Sequence, residues 1–449
     1  MNTRHCTCLI VGAGPGGYKL AAAEAERGAD VVIIDRAEAG GTCLNRGCIP
    51  TKCLCATASA LAAARSALAL GVKIDGTVSL DIEAARAHRD KTVGSLRDDI
   101  VRLLEACTVV HEEAHFDADG HIVAGNTVYI ADRTVIATGS RPSSLPVPGA
   151  ELCLNSDDML RLDSVPESLC VIGGGVIGLE LASAYADFGS QVTVIEYLPE
   201  ILPAFDADIA RRLRSLLQRR GIKTITSAKV TAIEATEDGP RSVHYESRGK
   251  ELSVSASCVL MAVGRRAVVP DGCEAAGIQL DRSGRIITDS DFRAAEGIYA
   301  IGDCAAGHPM LAHVAEAQAA ILAGREGVDL TKVPSVIYTR PEAFATGMTE
   351  AQAREAGIDT VSAKIPVAAN GYARATGATD GLIKAIADKT DGRIVGIHYC
   401  GAGADTLVGE AQTIVATGMT ASRALATIHA HPTLTELLTA ALAQLTRHP

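Results

Sequence analysis

Two stretches of this chain share one pattern of hydrophobic and polar positions. A short apolar run, Leu9-Ile10-Val11, leads into a turn carrying Gly12, Gly14 and Gly17; a helical stretch follows, then a second apolar run, Val31 to Ile34, ending in Asp35. The same order recurs with Cys170-Val171-Ile172, then Gly173, Gly175 and Gly178, a helical stretch, and Val192 to Ile195 ending in Glu196. In both copies the acid lies 18 residues after the third glycine. Short continuous apolar runs bounded by glycine read as buried parallel strands. A lone G-x-G-x-x-G is weak, but glycines set between a strand and a helix, with a second strand ending in an acid, predict a dinucleotide-binding βαβ unit. Two copies with one spacing predict two such units.

The first glycine of each copy allows the tight turn, the second lets backbone N–H groups approach a pyrophosphate, and the third lets helix and strand pack closely. The helix N-terminus adds partial positive charge. The terminal acid suits a free ribose diol and would repel a 2′-phosphate, so Glu196 predicts NAD rather than NADP at the second site.

Small residues close two further strands, Val135 to Ile136 with Thr138, Gly139 and Ser140 behind it, and Val259 to Val263 with Gly264. Pro142, Pro146 and Pro148 predict an extended connection, which makes residues 143–268 an insertion. A third apolar strand, Ile298 to Ile301, ends in Gly302 and Asp303 and returns the chain to the first domain. From Pro334 the pattern changes to short strands, with Asp391-Gly392 as a hairpin turn between Leu382–Ile386 and Ile394–Tyr399. In the tail, Leu434, Leu437, Leu438, Ala441, Leu442 and Leu445 share one helical face, fit for a buried or subunit-contacting surface.

Composition narrows the function. In 449 residues, 47% are hydrophobic and 21% charged, a globular balance. The net charge of -11 has no basic run to offset it, which argues against nucleic-acid and acidic-membrane partners. Leu54 to Leu70 is Ala- and Ser-rich and interrupted by Arg65, which argues against a membrane span. The N-terminus lacks an apolar signal core, and thirteen cysteines, an odd number, argue against a secreted disulfide framework. The expectation is a cytoplasmic protein with eleven cysteines acting as small core residues. No metal site is expected.

Residues 40 to 52 read GGTCLNRGCIPTK, which sets Cys43 and Cys48 five positions apart. On a regular helix their Cα atoms would lie about 8.7 Å apart, beyond the roughly 7 Å that a disulfide tolerates. A disulfide here would need a break in the helix, and Gly47 and Pro50 both favour one. By spacing alone the pair reads equally as a redox-active disulfide or as two unrelated thiols. His431 is similarly open: Pro432 keeps it out of the following helix, and Thr433 with Glu436 fits a capping box in which Glu436 only reaches back to the helix start.

The whole chain resembles the dihydrolipoamide dehydrogenase branch of the flavin-dependent pyridine nucleotide-disulfide oxidoreductases. The resemblance rests on GAGPGGY at 12–18, the cysteine motif, ATGSRP at 137–142, GGGVIGLE at 173–180, AIGD at 300–303, IYTRPE at 337–342 and HAHPTLTE at 429–436. It implies an α/β fold with two Rossmann-like dinucleotide-binding domains, for FAD and NAD, plus a C-terminal α+β dimerisation domain. The implied segments are 1–142 (FAD), 143–268 (inserted NAD domain), 269–333 (second flavin-side segment) and 334–449 (dimerisation). It implies that Cys43 exchanges with substrate and that Cys48, against the flavin, forms the charge-transfer thiolate. Lys52 would lie near the reactive flavin nitrogen and pair with Glu180, a residue grouped with the NAD site. Asp35 would take the adenosine ribose of FAD and Asp303 the ribityl chain, with Thr138, Gly139 and Gly302 lining the same cofactor. Gly264 joins Gly173, Gly175, Gly178 and Glu196 at NAD. His431 would be the general base, oriented by Glu436 and supplied by the partner subunit, while His429 supports packing or the turn.

The implied activity is oxidation of dihydrolipoyl groups with NAD⁺ in a homodimer, serving lipoyl-bearing proteins of 2-oxo acid dehydrogenase-type or glycine cleavage complexes. Another NAD(P)H-dependent disulfide reductase of the same superfamily is the nearest rival. A flavin-binding scaffold or adhesion protein without turnover is a second, although such a role needs neither the cysteines nor His431. The chain departs from the pattern at Cys53-Leu54-Cys55, at Ala267 after Arg266, and in having only 13 residues after Glu436.

Overall fold

The computed structural model describes residues 1–235 and 239–447, which form two compact units. The first comprises residues 1–53, 86–143 and 264–330. Six strands of its sheet run in the order Arg293–Ala295, Ile298–Ala300, Thr127–Ile136, Asn2–Val11, Val31–Ile34, Thr108–Val110, parallel except at the Arg293–Ala295 edge, and Ile122–Ala124 pairs antiparallel with Thr127–Ile136 and with Ala114–Phe116. Side chains alternate across it. Leu9, Val11, Val32 and Ile34 enter one core, while Cys8, Ile10, Val31 and Ile33 enter another with Leu20, Ala21 and Ala319 of the helices Pro15–Glu26 and Ala312–Leu322. Both faces are covered, so the strands read as unbroken apolar runs. The first strand begins well before Leu9 because Asn2–Cys6 pair with Thr127–Ala131, a ladder that needs no apolar pattern.

The second unit comprises residues 54–85, 144–263 and 331 onward. Four parallel strands run in the order Lys223–Ile225, Gln191–Ile195, Ser168–Ile172, Cys258–Met261. Leu169, Val171, Val192 and Val194 pack towards the helix Val176–Phe188. Cys170, Ile172 and Ile195 face the antiparallel strands Ala228–Ala235, Arg241–Ser247 and Lys250–Ala256. A five-stranded antiparallel sheet follows, in the order Ser335–Ile337, Ala343–Gly347, Ile394–Cys400, Leu382–Asp388, Thr360–Pro366. The Asp391-Gly392 turn falls where the sequence predicts it, with Gly392 at φ 73°. The tail helix Glu436–Thr446 buries Leu437, Leu438, Ala441, Leu442 and Leu445 in this unit's own core. Of the two roles open to that face, burial within the chain is the one observed.

One helical stretch, Gly41–Leu70, is long and apolar enough by composition to cross a membrane, although the narrower Leu54–Leu70 is interrupted by Arg65. It is not one straight helix: Gly41–Arg46, Cys48–Ser66 and Ala67–Leu70 are separate pieces. Ala58 and Leu61 pack in a core with Leu179 and Leu181, and Arg65 donates to the Asp187 carbonyl at 2.7 Å. Of the eleven cysteines outside the pair, nine are buried, while Cys107 and Cys153 are partly exposed.

Candidate functional site

The two glycine loops match in detail. Gly12 has φ 109° and Gly173 φ 111°; a Cβ at either would stand 2.3 Å from a backbone carbonyl, that of Ala137 or of Ala262. A Cβ at Gly17 or Gly178 would fall within 2.3 Å of the first glycine's carbonyl oxygen. Gly14 and Gly175, the middle glycines, face open space and begin the helices Pro15–Glu26 and Val176–Phe188 with no side-chain cap. Uncapped amides beside an open cradle suit a pyrophosphate, so the residues present fit both dinucleotides.

The two terminal acids tie down these loops. Asp35 accepts from the Ala13 N–H at 2.6 Å and from Ala37 N–H at 2.9 Å. Glu196, buried, accepts from Gly174 N–H at 2.6 Å and Leu198 N–H at 2.7 Å. Each carboxylate oxygen retains a second lone pair for a ribose hydroxyl.

Elsewhere in the first unit, Asp303 accepts from the Ser140 hydroxyl at 2.5 Å, and Arg265 donates to that hydroxyl at 2.7 Å. Thr138 donates to the Val268 carbonyl at 2.5 Å. Gly139 has φ 71° and open space at its Cβ position. The Gly302 N–H is taken by Gln318 Oε1 at 2.7 Å, while Gln318 Nε2, fully buried, has no partner among the described residues. An orphaned buried donor fits a site completed by a bound group. In the second unit, Glu180 is buried and accepts from the Tyr338 N–H at 2.9 Å. Gly264 has φ 108° and open space at its Cβ position.

The cysteine motif folds as a broken helix. Gly41–Arg46 ends at Gly47, with φ -140° and ψ -112°, and Cys48 starts the next helix. Gly47 alone makes the break; Pro50 lies in the first turn of Cys48–Ser66, where its missing N–H costs nothing. A Cβ at Gly47 would meet the Thr42 carbonyl at 2.8 Å, and Thr51 donates its hydroxyl to the Gly47 carbonyl at 2.6 Å. The break brings the two thiols into hydrogen-bond contact. That bond first, then burial and the nearby Cys48 and Glu316 charges, holds the Cys43 proton more tightly than on a free thiol; Lys52 acts the other way. Cys48 is the more exposed sulfur and stands at a helix N-terminus, both of which favour a thiolate. The motif is also fastened to the first glycine loop. The Gly40 N–H bonds to the Ala13 carbonyl at 2.8 Å, and a Cβ at Gly41 would stand 2.6 Å from Gly14 Cα.

His431 is largely exposed and lies before the tail helix, its Nδ1 2.9 Å from Glu436 Oε1. Glu436 Oε2 accepts from the Thr433 N–H at 2.9 Å. The capping box expected from Thr433 and Glu436 is half present. The helix begins at Glu436 itself, and the Thr433 hydroxyl donates to the Ala430 carbonyl instead of capping. His429 is held by Glu410, a partner that the motif does not show.

Sequence reading misses several supports. Asn45, between the cysteines, donates to the carbonyls of Glu38, Ala39 and Gly41 and accepts from Arg97 at 2.8 Å. An asparagine, poorly suited to a helix, inside the motif is the signal that could have found it. Tyr18 and Glu316 lie close enough to Cys43 to act on one another; burial, then Glu316 and Cys43, push the Tyr18 hydroxyl up to about 12. Asp117, Asp119 and His121 gather in a turn, where Asp117 Oδ1 is engaged by the Asp119 and His121 N–H groups.

Residues 6–319 match the family described as pyridine nucleotide-disulphide oxidoreductase, and residues 333–442 match its dimerisation domain. The chain is 38% identical to a dihydrolipoyl dehydrogenase of Geobacillus stearothermophilus over 443 residues, covering 96% of this chain and 94% of the relative. It is 37% identical to one of Thermus scotoductus over 439 residues, covering 95% of each. Among solved structures it is similar to the HOCl-induced flavoprotein disulfide reductase RclA from Escherichia coli, with TM-score 0.86 and 28% identity over 97% of this chain and 99% of that one. A Cu(II) complex of RclA gives TM-score 0.87 and 27% identity over 98% and 99%. The chain therefore belongs to the pyridine nucleotide-disulphide oxidoreductase family, as a flavoprotein oxidoreductase of the dihydrolipoyl dehydrogenase kind with FAD and NAD(H) as cofactors and a dimerisation domain at its C-terminal end.

Proposed function

We propose that this chain oxidises dihydrolipoyl groups by exchange with a Cys43–Cys48 disulfide, with NAD⁺ as final acceptor. His431 Nε2 takes the proton of a substrate thiol, because only a thiolate attacks sulfur and such a thiol is mostly protonated near pH 7. The substrate sulfur bonds to Cys43 Sγ, and Cys48 Sγ leaves as a thiolate. The second substrate thiol then gives up its proton, which ends on Cys43, and its sulfur attacks the substrate sulfur of the mixed disulfide, which closes the lipoyl disulfide and releases Cys43 as a thiol. Bound FAD supplies the two-electron chemistry that reoxidises the cysteine pair and reduces NAD⁺. Around it, Gly14 and Gly175 offer amides to the two pyrophosphates, Asp35 and Glu196 hold the ribose ends, and Lys52, Thr138, Gly139, Gly302 and Asp303 line the flavin. Glu180 and Gly264 complete the NAD side.

The observation that carries this reading is the hydrogen-bonded Cys43 and Cys48 pair across the Gly47 break. Two unrelated thiols would need no such break. The segments 1–142 and 269–333 then serve FAD, 143–268 serves NAD, and 334–449 forms the homodimer, in which each His431 serves the partner's cysteines. The partners are lipoyl-bearing proteins of 2-oxo acid dehydrogenase-type or glycine cleavage complexes, in the cytoplasm. The likeness to RclA favours a second reading, reduction of another disulfide, but at lower identity than the dihydrolipoyl dehydrogenases. Steady-state turnover of dihydrolipoamide against other dithiols and disulfides, with NAD(H) and NADP(H) compared, separates the two. Preferred NAD⁺-linked oxidation of dihydrolipoamide supports the first reading; a preference for reducing another disulfide supports the second.

A further inference from the structure

His429 is held at both ring nitrogens. Its Nε2 lies 2.5 Å from Glu410 Oε1 and its Nδ1 lies 3.0 Å from the Thr427 carbonyl oxygen. Both partners are acceptors, which favours a proton on each nitrogen, and the Glu410 carboxylate raises His429 above its ordinary value. His431, two residues on, has its Nδ1 on Glu436 and no partner at Nε2 among the described residues. With Nδ1 on the carboxylate, Nε2 is the nitrogen left to face another group. The two histidines of one short motif thus differ in how they are held, His429 at both ring nitrogens and His431 at one. Their surroundings differ as well: the His429 side chain is 14% exposed and that of His431 79%.

The segment that carries them has little else to order it. Residues 427–433 lie between the helices Ala421–Leu425 and Glu436–Thr446 without regular structure, and Ile428 is 97% exposed. Its side-chain anchors are Glu410, Asn370, which donates to the Thr433 carbonyl at 3.0 Å, and Glu436. Glu410 belongs to the helix Ala404–Ala416, which is fixed by the buried Leu407, Ala411, Ile414 and Val415.

We propose that Glu410 and His429 are a positioning pair for His431, pinning its segment to a rigid helix and setting a fixed positive charge beside the His431–Glu436 couple. The inference rests on reading His431 as the base. Glu410 keeps His429 charged, and that charge helps His431 and the Thr433 amide to hold the Glu436 carboxyl below its usual range. Among the described residues, Glu410 and Glu436 are the charged groups that act on His429.

The test uses FAD-loaded dimer, dihydrolipoamide and NAD⁺, and compares Glu410→Gln, the double variant Glu410→Gln/His429→Gln and His431→Gln with wild type. Glu410→Gln should lower kcat about 10- to 100-fold, the scale of a slightly misplaced catalytic group. It should also move the acid limb of the kcat profile to higher pH, because the cation beside His431 is lost. The double variant keeps a neutral hydrogen bond, so it should regain part of kcat while its acid limb stays displaced. That variant also carries the test if Glu410→Gln fails to fold. An acid limb at its wild-type position in both variants overturns the proposal whatever kcat does. If His431→Gln itself turns over normally, the base reading fails and the positioning role fails with it; an inactive His431→Gln beside wild-type behaviour of the other two refutes the pair alone.

Discussion

Glu436 uses its two carboxylate oxygens on different tasks: Oε1 lies 2.9 Å from His431 Nδ1 and Oε2 accepts the Thr433 N–H at 2.9 Å. Helix support and histidine orientation therefore do not compete for this residue. Glu436→Gln keeps an oxygen for the Thr433 amide but loses the charge that stabilises a protonated His431. Dihydrolipoamide turnover should fall, by less than in His431→Gln, with little stability lost on unfolding. A stability loss with normal kinetics would leave Glu436 as a cap only.

The two cysteines differ in setting, and their variants should differ in colour. Cys48, at the helix start, should hold the thiolate after two-electron reduction. A long-wavelength absorption band should then appear in the wild type, persist in Cys43→Ser and vanish in Cys48→Ser. The opposite pattern would exchange the two roles.

Glu196 should select NAD over NADP. Glu196→Arg should shift preference toward NADPH by roughly 5- to 150-fold, the worth of a charged hydrogen bond, with FAD still bound. Because Glu196 also clamps Gly174, the KM for NAD⁺ should rise in the same variant. Cofactor preference equal to that of wild type would remove Glu196 from the ribose site.

Lys384, buried on the strand Leu382–Asp388, meets Asp206 and Asp208 at 2.8 Å and Glu350 at 2.9 Å. Burial would raise these carboxyls, but all three are lowered: Asp206 first by the hydrogen bond from Lys384, Asp208 by Lys364 and then Lys384, and Glu350 by Ser362 and then Lys384. Groups with depressed folded values contribute stability above their unfolded range, about pH 4, and that contribution is lost as pH falls through the folded values. Lys384→Met leaves the buried Asp206 without its cation, while Asp208 keeps Lys364 and Arg211, and should cost about 3–5 kcal/mol at pH 7. Urea unfolding should show the gap from wild type narrowing as pH drops below about 4. A gap that does not change with pH would mean that lost packing, rather than charge, explains the cost.

Much of the fold was legible because it is written locally. Gly12, Gly17 and Asp35, repeated as Gly173, Gly178 and Glu196, act within one strand–helix–strand unit, so period and spacing reveal them. The redox pair was half legible: spacing showed that Cys43 and Cys48 needed a break, but not that Gly47 alone makes it. The supports stayed hidden because they come from distant sequence. Arg97 reaches Asn45 from 52 positions away, and Glu410 reaches His429 from 19. The edge of the tail helix was misread at Thr433, whose hydroxyl is spent on Ala430.

The central claim is that His431 serves sulfur chemistry at the cysteine pair and not the flavin–nicotinamide exchange. His431→Gln, assayed in both half-reactions, tests it most directly. Dihydrolipoamide oxidation should fall by about 10²–10⁴, the usual contribution of a positioned general base, while reduction of the flavin by NADH stays near wild type. Normal dihydrolipoamide oxidation in that variant, or equal losses in both half-reactions, would contradict the account.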